Sequence, residues 1–449
     1  MTNKRKLRCL LVVSTLLVAL IASAPVLASA NPQTGDVRSL DPNTQFYIPK
    51  PIDGARQQIA HLTSSGNKAD AALIGAMIDT PQAVWFTGDT PHKVQQDVKS
   101  TVKRAEAKGT VPILVAYNIP FRDCSQFSAG GATSVAEYEA WIDGFAAGIG
   151  DAEAVVLLEP DGLGIIPYYD PYGSADGSNA LEWCQPIGAD PGTAASDRFT
   201  MLNYAVDALK AHPNVSVYLD GTHSAWLGVG DAADRLVRAG VQRADGFFLN
   251  VSNYQFSTNL VQYGTWISDC IAYATTVNPG DFVGCPNQYW NGGPATGWNG
   301  TIMDRYQEWR SEPYSGNPAD LAWNTVGINS RYDLILGSTE PTTHFVIDTS
   351  RNGMGPWQPP TGVYPDPQDW CNPPDRGVGI QSTANTGIPL LDAYLWVKIP
   401  GASDGECTRG LGPAGTTVDP EWGLIDPPAG AWFPEMALDL VHNANPPLH

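Results

Sequence analysis

Seven short apolar or β-branched runs punctuate the chain, at Ala83–Phe86, Pro112–Tyr117, Ala154–Glu159, Val215–Leu219, Gly246–Asn250, His344–Ile347 and Leu391–Lys398. Between most of them the pattern turns helical. His92–Lys108 is polar and charged, with Val94, Val98 and Val102 on one stripe. Ser134–Ile149 sets Trp141 and Phe145 one turn apart behind a Ser134-x-x-Glu137 capping box, and Ser196–His212 repeats the stripe with Phe199, Leu202, Val206 and Leu209. Strands alternating with helices predict an α/β fold with a parallel sheet, closed or doubly wound. Chemistry gathered at successive strand ends favours a barrel with its site at the C-terminal mouth. The alternation is weakest between Tyr254 and Thr343, where long loops with some helix are expected.

Three strand exits carry carboxylates: YNIPFRDC at Tyr117–Cys124, LLEPDG at Leu157–Gly162 and VYLDGTH at Val217–His223. A carboxylate at the end of a buried strand is costly unless a cleft uses it, so the three together predict one shared acidic cleft. Pro160 ends strand pairing and turns Asp161 toward the mouth. Asp123 occupies the equivalent exit one strand earlier. Two carboxylates in one cavity raise the pKa of one of them above the ordinary value of about 3.9, which leaves a protonated acid at mildly acidic pH. Arg122 is placed to hold a carboxylate or to make a plain loop ion pair. Asp220 and His223 form a third exit with Trp226 close behind. Asp404, in PGASDGEC, reads by spacing alone as an exposed Asp-Gly turn. Trp85, Trp226, Trp370 and Trp396 fall at or just past strand ends, where flat rings stack on sugars; Trp396, inside an apolar run, is expected in the core.

Composition narrows the setting. Lys4, Arg5, Lys6 and Arg8 precede an apolar stretch, Cys9–Ala22, and small residues at Ala28-Ser29-Ala30, so 1–30 is expected to be a signal peptide and 31–449 one secreted catalytic domain. Without those four cations, the 26 Lys and Arg of the chain fall to 22 against 46 Asp and Glu, a formal charge near −24. That excludes nucleic acid and anionic membrane as expected partners and suits a neutral polymer. Six cysteines remain beyond the leader, an even number that reads as three disulfides. With neither C-x-x-C nor H-E-x-x-H present, no metal or cofactor is expected. Gly228-Val229-Gly230 mimics part of a dinucleotide fingerprint but lies too far past its strand to serve as one. Sequons at Asn214, Asn250 and Asn299 matter only in a glycosylating host.

At these residues the chain resembles glycoside hydrolase family 6, the inverting cellulases. The likeness rests on Tyr-x-x-Pro-x-Arg-Asp-Cys at Tyr117–Cys124, Glu159-Pro160-Asp161, Leu219-Asp220-x-x-His223, Asp369-Trp370-Cys371-Asn372, and Leu395-Trp396-Val397-Lys398 with its Pro-Gly-x-x-Asp-Gly loop. It implies a distorted seven-stranded parallel β/α barrel, TIM-like, and cleavage of β-1,4-glucan with inversion. Asp161 would be the general acid, and Asp123 would raise its pKa and help position or deprotonate the water. Tyr117 would press on the sugar at the cleavage point, and Asp404 would be the candidate base. Inversion needs carboxyls about 6.5–9.5 Å apart. Trp85, Trp226 and Trp370 match sugar platforms; Ser128, Asp220, His223, Asn250, Asn253 and Lys398 complete the implied substrate-binding set. The same resemblance pairs Cys124 with Cys184, Cys371 with Cys407, and Cys270 with Cys285. The implied partner is cellulose or cello-oligosaccharide, bound by a monomer.

The chain departs from the family pattern at three places. Ala129, beside Ser128, stands where a water-holding Ser is common, Ala402 replaces an acidic residue, and Val229 replaces a Trp found in some members. Asp170–Pro191 and Glu406–Gly430 are long, Cys-anchored and rich in Gly and Pro. Such segments suit a roof over the mouth, and with it a cellobiohydrolase that threads a chain end. The alternatives are an open-cleft endo-β-1,4-glucanase and a non-catalytic glucan-binding protein.

Overall fold

In a computed structural model the described residues are 40–171, 181–293 and 298–448. The expected leader, and 172–180 of the Asp170–Pro191 segment, lie outside them. Seven strands are all parallel and ordered as they occur in the chain: β1 Val84–Phe86, β2 Ile113–Ala116, β3 Ala154–Leu158, β4 Val215–Asp220, β5 Gly246–Leu249, β6 His344–Asp348 and β7 Leu391–Leu395. They curl into a half-barrel. The two edge strands share no ladder; the seam is bridged by Ala83 N–H to the Trp396 carbonyl (2.9 Å) and by the Trp85 indole N–H to the Val397 carbonyl (2.8 Å).

Every residue of β2 through β7 is buried, as expected where a parallel sheet is covered on both faces. The pleat divides them. Leu114, Val156, Val217, Phe247 and Phe345 face the helical layer, whereas Val115, Leu157, Tyr218, Phe248 and Val346 fill the inside of the curl. Register pairs Phe86 with Ala116, Ala116 with Leu158, and Leu158 with Leu219. The exits that follow therefore lie at one level, which is what gathers their side chains into one mouth.

The nine helices of the described residues are α1 Ala55–Ser64, α2 Lys68–Ile78, α3 Pro91–Glu106, α4 Val135–Ile149, α5 Ala194–Lys210, α6 Val229–Arg238, α7 Ser257–Ala272, α8 Val326–Leu336 and α9 Pro434–His442. None is long and apolar enough to cross a membrane. α3 starts at Thr90, whose hydroxyl accepts from Lys93 N–H (3.3 Å), and buries the valine stripe. It packs closely on α4 because Gly144 faces the Pro91 carbonyl, where a Cβ would sit only 2.2 Å from the oxygen. The expected capping box on α4 is half realised: Ser134 Oγ accepts from Glu137 N–H (3.2 Å), but Glu137 reaches one residue further back, to Thr133 N–H (2.8 Å).

Between Tyr254 and Thr343 the chain holds two full helices, α7 and α8, and an antiparallel pair of strands, Asn291–Gly293 with Trp298–Thr301. α7 escapes its pattern because it is buried nearly all round, including Asn259, Ser268 and Asp269, and its N-cap is Phe256 with no side-chain cap. Three disulfides close the loops: Cys124–Cys184, Cys270–Cys285 and Cys371–Cys407. These are the pairs implied by the resemblance.

Candidate active site

The exits turn sharply through backbone conformations uncommon for non-glycine residues. Glu159 (φ 56°), Asp161 (φ 62°), Asp123 (φ 52°), Thr222 (φ 60°) and Asn250 (φ 70°) are all in the left-handed region. Such residues cost about 1–3 kcal/mol each and gather at functional sites. What holds the turns is a set of buried polar anchors. Glu159, fully buried, accepts Asn118 N–H (2.9 Å) and Ile119 N–H (2.9 Å) from the neighbouring exit; burial nevertheless pushes its carboxyl up to about 7. Arg198, from α5, donates to the carbonyls of Gly162 (2.6 Å), Ile165 (2.8 Å) and Pro120 (2.9 Å). One guanidinium thus fastens the loop of Asp123 to the loop of Asp161.

Eleven of the sequence-predicted residues line one cavity of about 340 Å³: Trp85, Tyr117, Asp123, Ser128, Asp161, His223, Trp226, Asn253, Trp370, Lys398 and Asp404. Asp161 is half-buried and opens onto this space, with no hydrogen-bond partner for its carboxyl among the described residues. Burial, then the charges of Asp220 and Asp123, raises its pKa well above the ordinary value. Asp123 accepts Ser128 N–H (2.8 Å), and burial raises its pKa too. The Tyr117 ring lies 5.5 Å from Trp85, edge on.

Asp404 is not an exposed turn. It is buried, and its carboxylate takes four donors: Arg351 (2.8 Å), Tyr254 OH (3.0 Å), Asn372 N–H (3.0 Å) and Lys398 Nζ (3.1 Å). Burial alone would raise its pKa, but Arg351 and Lys398 overcome that and hold it at about 2. Lys398 is six residues away, but Arg351, Tyr254 and Asn372 come from distant segments that no local spacing announces.

Two predicted binding residues do not reach the cavity wall. Asp220 lies beneath it, accepting N–H from Thr222 (2.9 Å), Leu163 (3.3 Å) and Gly164 (3.3 Å); burial raises its pKa to about 6. Its part is to bind two exits together and to bear on Asp161 through its charge. Asn250 is spent on the Asp348 carbonyl (2.8 Å) and Gln255 N–H (3.0 Å). Arg122 holds no carboxylate. Its guanidinium donates to the carbonyls of Thr87 (2.5 Å), Tyr117 (2.7 Å) and Ser128 (2.8 Å) and lies 4.8 Å over the Tyr117 ring. His223 is buried and its pKa is driven down to about 3, so it is neutral. Trp396 is core, fully buried.

The model of glycosyl hydrolases family 6 matches residues 41–444. The chain belongs to that family. It is similar to Endoglucanase 1 of Streptomyces halstedii, 30% identical over 98% of this chain and 99% of that one. It is also similar to a probable 1,4-beta-D-glucan cellobiohydrolase C of Neosartorya fischeri, 27% identical over 83% of this chain and 71% of the relative. Among solved structures, the endoglucanase Cel6 from Mycobacterium tuberculosis, in complex with a thio-linked cellobiosyl cellobioside, superposes with a TM-score of 0.59 at 29% identity, covering 90% of this chain and 99% of that one. The catalytic core of the Chaetomium thermophilum cellobiohydrolase Cel6A shares the fold, with a TM-score of 0.58. The family 6 chain is thus a cellulase, endoglucanase or cellobiohydrolase. The reading as a non-catalytic binding protein falls with that.

Around the family 6 site lie features that the sequence pattern did not flag. Arg305 pairs with Asp369 (3.3 Å) on the cavity wall, and Trp183 stands on it as an exposed indole. A second cavity of about 590 Å³ shares Trp85, Tyr117, Ser128 and Lys398 with the first and continues past Pro49–Ile52 and Ala402. Phe127, on the wall of the second cavity, contacts the Trp370 ring (centroids 5.9 Å) and packs against Gly405, where a Cβ would lie 2.6 Å from it. Among the described residues, one acid–cysteine group lies within metal-ligand reach, Cys407 with Asp419 and Asp426. The Cys407 sulfur is already in a disulfide and Asp419 is paired with Arg409, so the donor set does not suit an ion.

Proposed function

We propose that the chain is a secreted, inverting β-1,4-glucan hydrolase of cellobiohydrolase type, acting as a monomer with 31–449 as its catalytic domain. The observation that carries the catalytic assignment is Asp161: a raised carboxyl, without a hydrogen-bond partner among the described residues, facing the cavity that holds Asp123. Asp161 gives its proton to the glycosidic oxygen as the bond to the anomeric carbon breaks. Water forms the new bond from the opposite face, and its proton passes toward Asp123, a carboxylate on the same cavity whose pKa burial raises. Asp404, held at about 2 by its cations, is a weak acceptor and acts as a fixed charge. Tyr117 packs against the reacting sugar; Trp85, Trp226 and Trp370 stack its neighbours. The three disulfides support an extracellular setting.

The tunnel-type reading draws on the Phe127 contacts with Trp370 and Gly405, which tie the loop after Asp123 to the loops that carry Trp370 and Asp404. Arg409 braces the Glu406–Gly430 segment, through the carbonyls of Cys371 (2.7 Å) and Gln368 (2.9 Å) and through Asp419 (2.7 Å). An open-cleft endoglucanase is the second reading, favoured by the 37% exposure of Trp370. Chromatography and NMR of products from cello-oligosaccharides test the proposal: cellobiose with the new end in the α configuration is expected, and a β product would overturn inversion. A rapid viscosity drop on soluble substituted cellulose, with little sugar released, would transfer the assignment to the endoglucanase.

A further inference from the structure

We propose that Trp183 is an additional glucosyl-stacking platform at the outer margin of the catalytic cavity, an inference that rests on the reading of that cavity as a glucan site. Trp183 lines the cavity with Trp226 and Trp370 yet is 58% exposed, the most exposed aromatic residue on its wall. An indole on a cavity wall with its face open to solvent offers the flat amphipathic surface on which a sugar ring can stack.

Its backbone, in contrast, is held on both sides. Glu182 N–H donates to the Tyr169 carbonyl (2.8 Å), and Tyr168 N–H donates to the Cys184 carbonyl (2.9 Å). The side chains alternate as in a strand. Glu182 turns inward to an ion pair with the buried Arg235, and Cys184 turns inward to its disulfide with Cys124, next to Asp123. Trp183, between them, is left facing the cavity. A rigid backbone presenting a free flat ring has little entropy to lose on binding. The ligand class is a glucosyl unit of a β-1,4-glucan long enough to reach the cavity rim.

Trp183→Ala and Trp183→Phe, assayed on cellohexaose and cellotetraose, decide the matter. The alanine variant is expected to raise KM for cellohexaose about 3- to 10-fold more than KM for cellotetraose, the range one aromatic stacking contact supplies. The phenylalanine variant recovers most of that difference. Equal effects on both substrates, or none, overturn the platform while leaving the glucan site standing. A wild type that hydrolyses neither oligosaccharide overturns both.

Discussion

Arg351, fully buried, donates to Asp404 at 2.8 Å while its second terminal nitrogen holds the Ser252 carbonyl at 2.6 Å. The pair joins the exit of β6 to the loop after β7, and a cation there decides the charge state of Asp404. Arg351→Met leaves that carboxylate with Lys398 as its one cation. Its pKa then rises from about 2 toward the range of Asp123, the proposed acceptor; because the fixed charge and the acceptor must both be ionised, the acid limb of the pH–rate profile steepens and moves to higher pH. Removing one partner of a buried pair costs about 3–5 kcal/mol. Urea denaturation and a pH series on the variant check both; an unmoved acid limb would separate Asp404 from the reaction.

Asp161→Asn removes the proposed proton donor with little change of shape. Loss of about 10²- to 10⁴-fold in kcat on unactivated glucan is expected, with oligosaccharide binding close to wild type. Aryl cellobiosides with acidic leaving groups, which need little protonation, retain much more of their rate. Full activity on cellulose would refute the assignment.

On the proposed assignment the basic limb of the profile reports Asp161, held up by burial, then by Asp220, then by Asp123. Neutralising either neighbour lowers the pKa of Asp161. Asp123→Asn and Asp220→Asn are therefore both expected to shift the basic limb toward acid, although only Asp123 touches the cavity. A shift confined to Asp123→Asn would mean that Asp220 is screened from the acid.

Stability depends on pH through the same anchors. Burial raises Glu159 to about 7 and Asp220 to about 6, above ordinary values of 4.5 and 3.8. Across that interval the folded protein holds protons that the unfolded chain has released. Stability is therefore full below the ordinary values and falls as pH rises toward about 7. Asp404 works the other way, losing its contribution only as pH falls toward about 2. Thermal melting is expected to be highest at mildly acidic pH, and Glu159→Gln flattens the decline. A melting temperature that climbed from pH 4.5 to 7 would contradict this.

The fold was legible because both periods were clean. Continuous apolar runs marked strands buried on two faces, and the valine stripe marked α3 to within two residues at either end. α7 was not, since polar residues buried against neighbouring loops erase a solvent face. In the site, Asp123 and Asp161 were visible as carboxylates at adjacent exits. The premise behind them was too broad: Glu159, Asp220 and Asp348 also end strands and are buried, yet the N–H groups of neighbouring exits satisfy them, as Val397 (3.1 Å) and Lys398 (3.0 Å) do for Asp348. Local sequence cannot separate an acid that serves a cavity from one that staples loops. Asp404, whose four donors are scattered from Tyr254 to Lys398, was hidden for a related reason: its surroundings are assembled only by folding.

Because Arg198 grips the carbonyls of Pro120 and Gly162 from a single helix, any sliding of α5 carries both acidic loops in the same direction. On the proposed reading, the spacing of Asp123 and Asp161 is thereby tied to one side chain of one helix, so substitutions elsewhere on α5 that leave Arg198 in place are expected to leave that spacing unchanged.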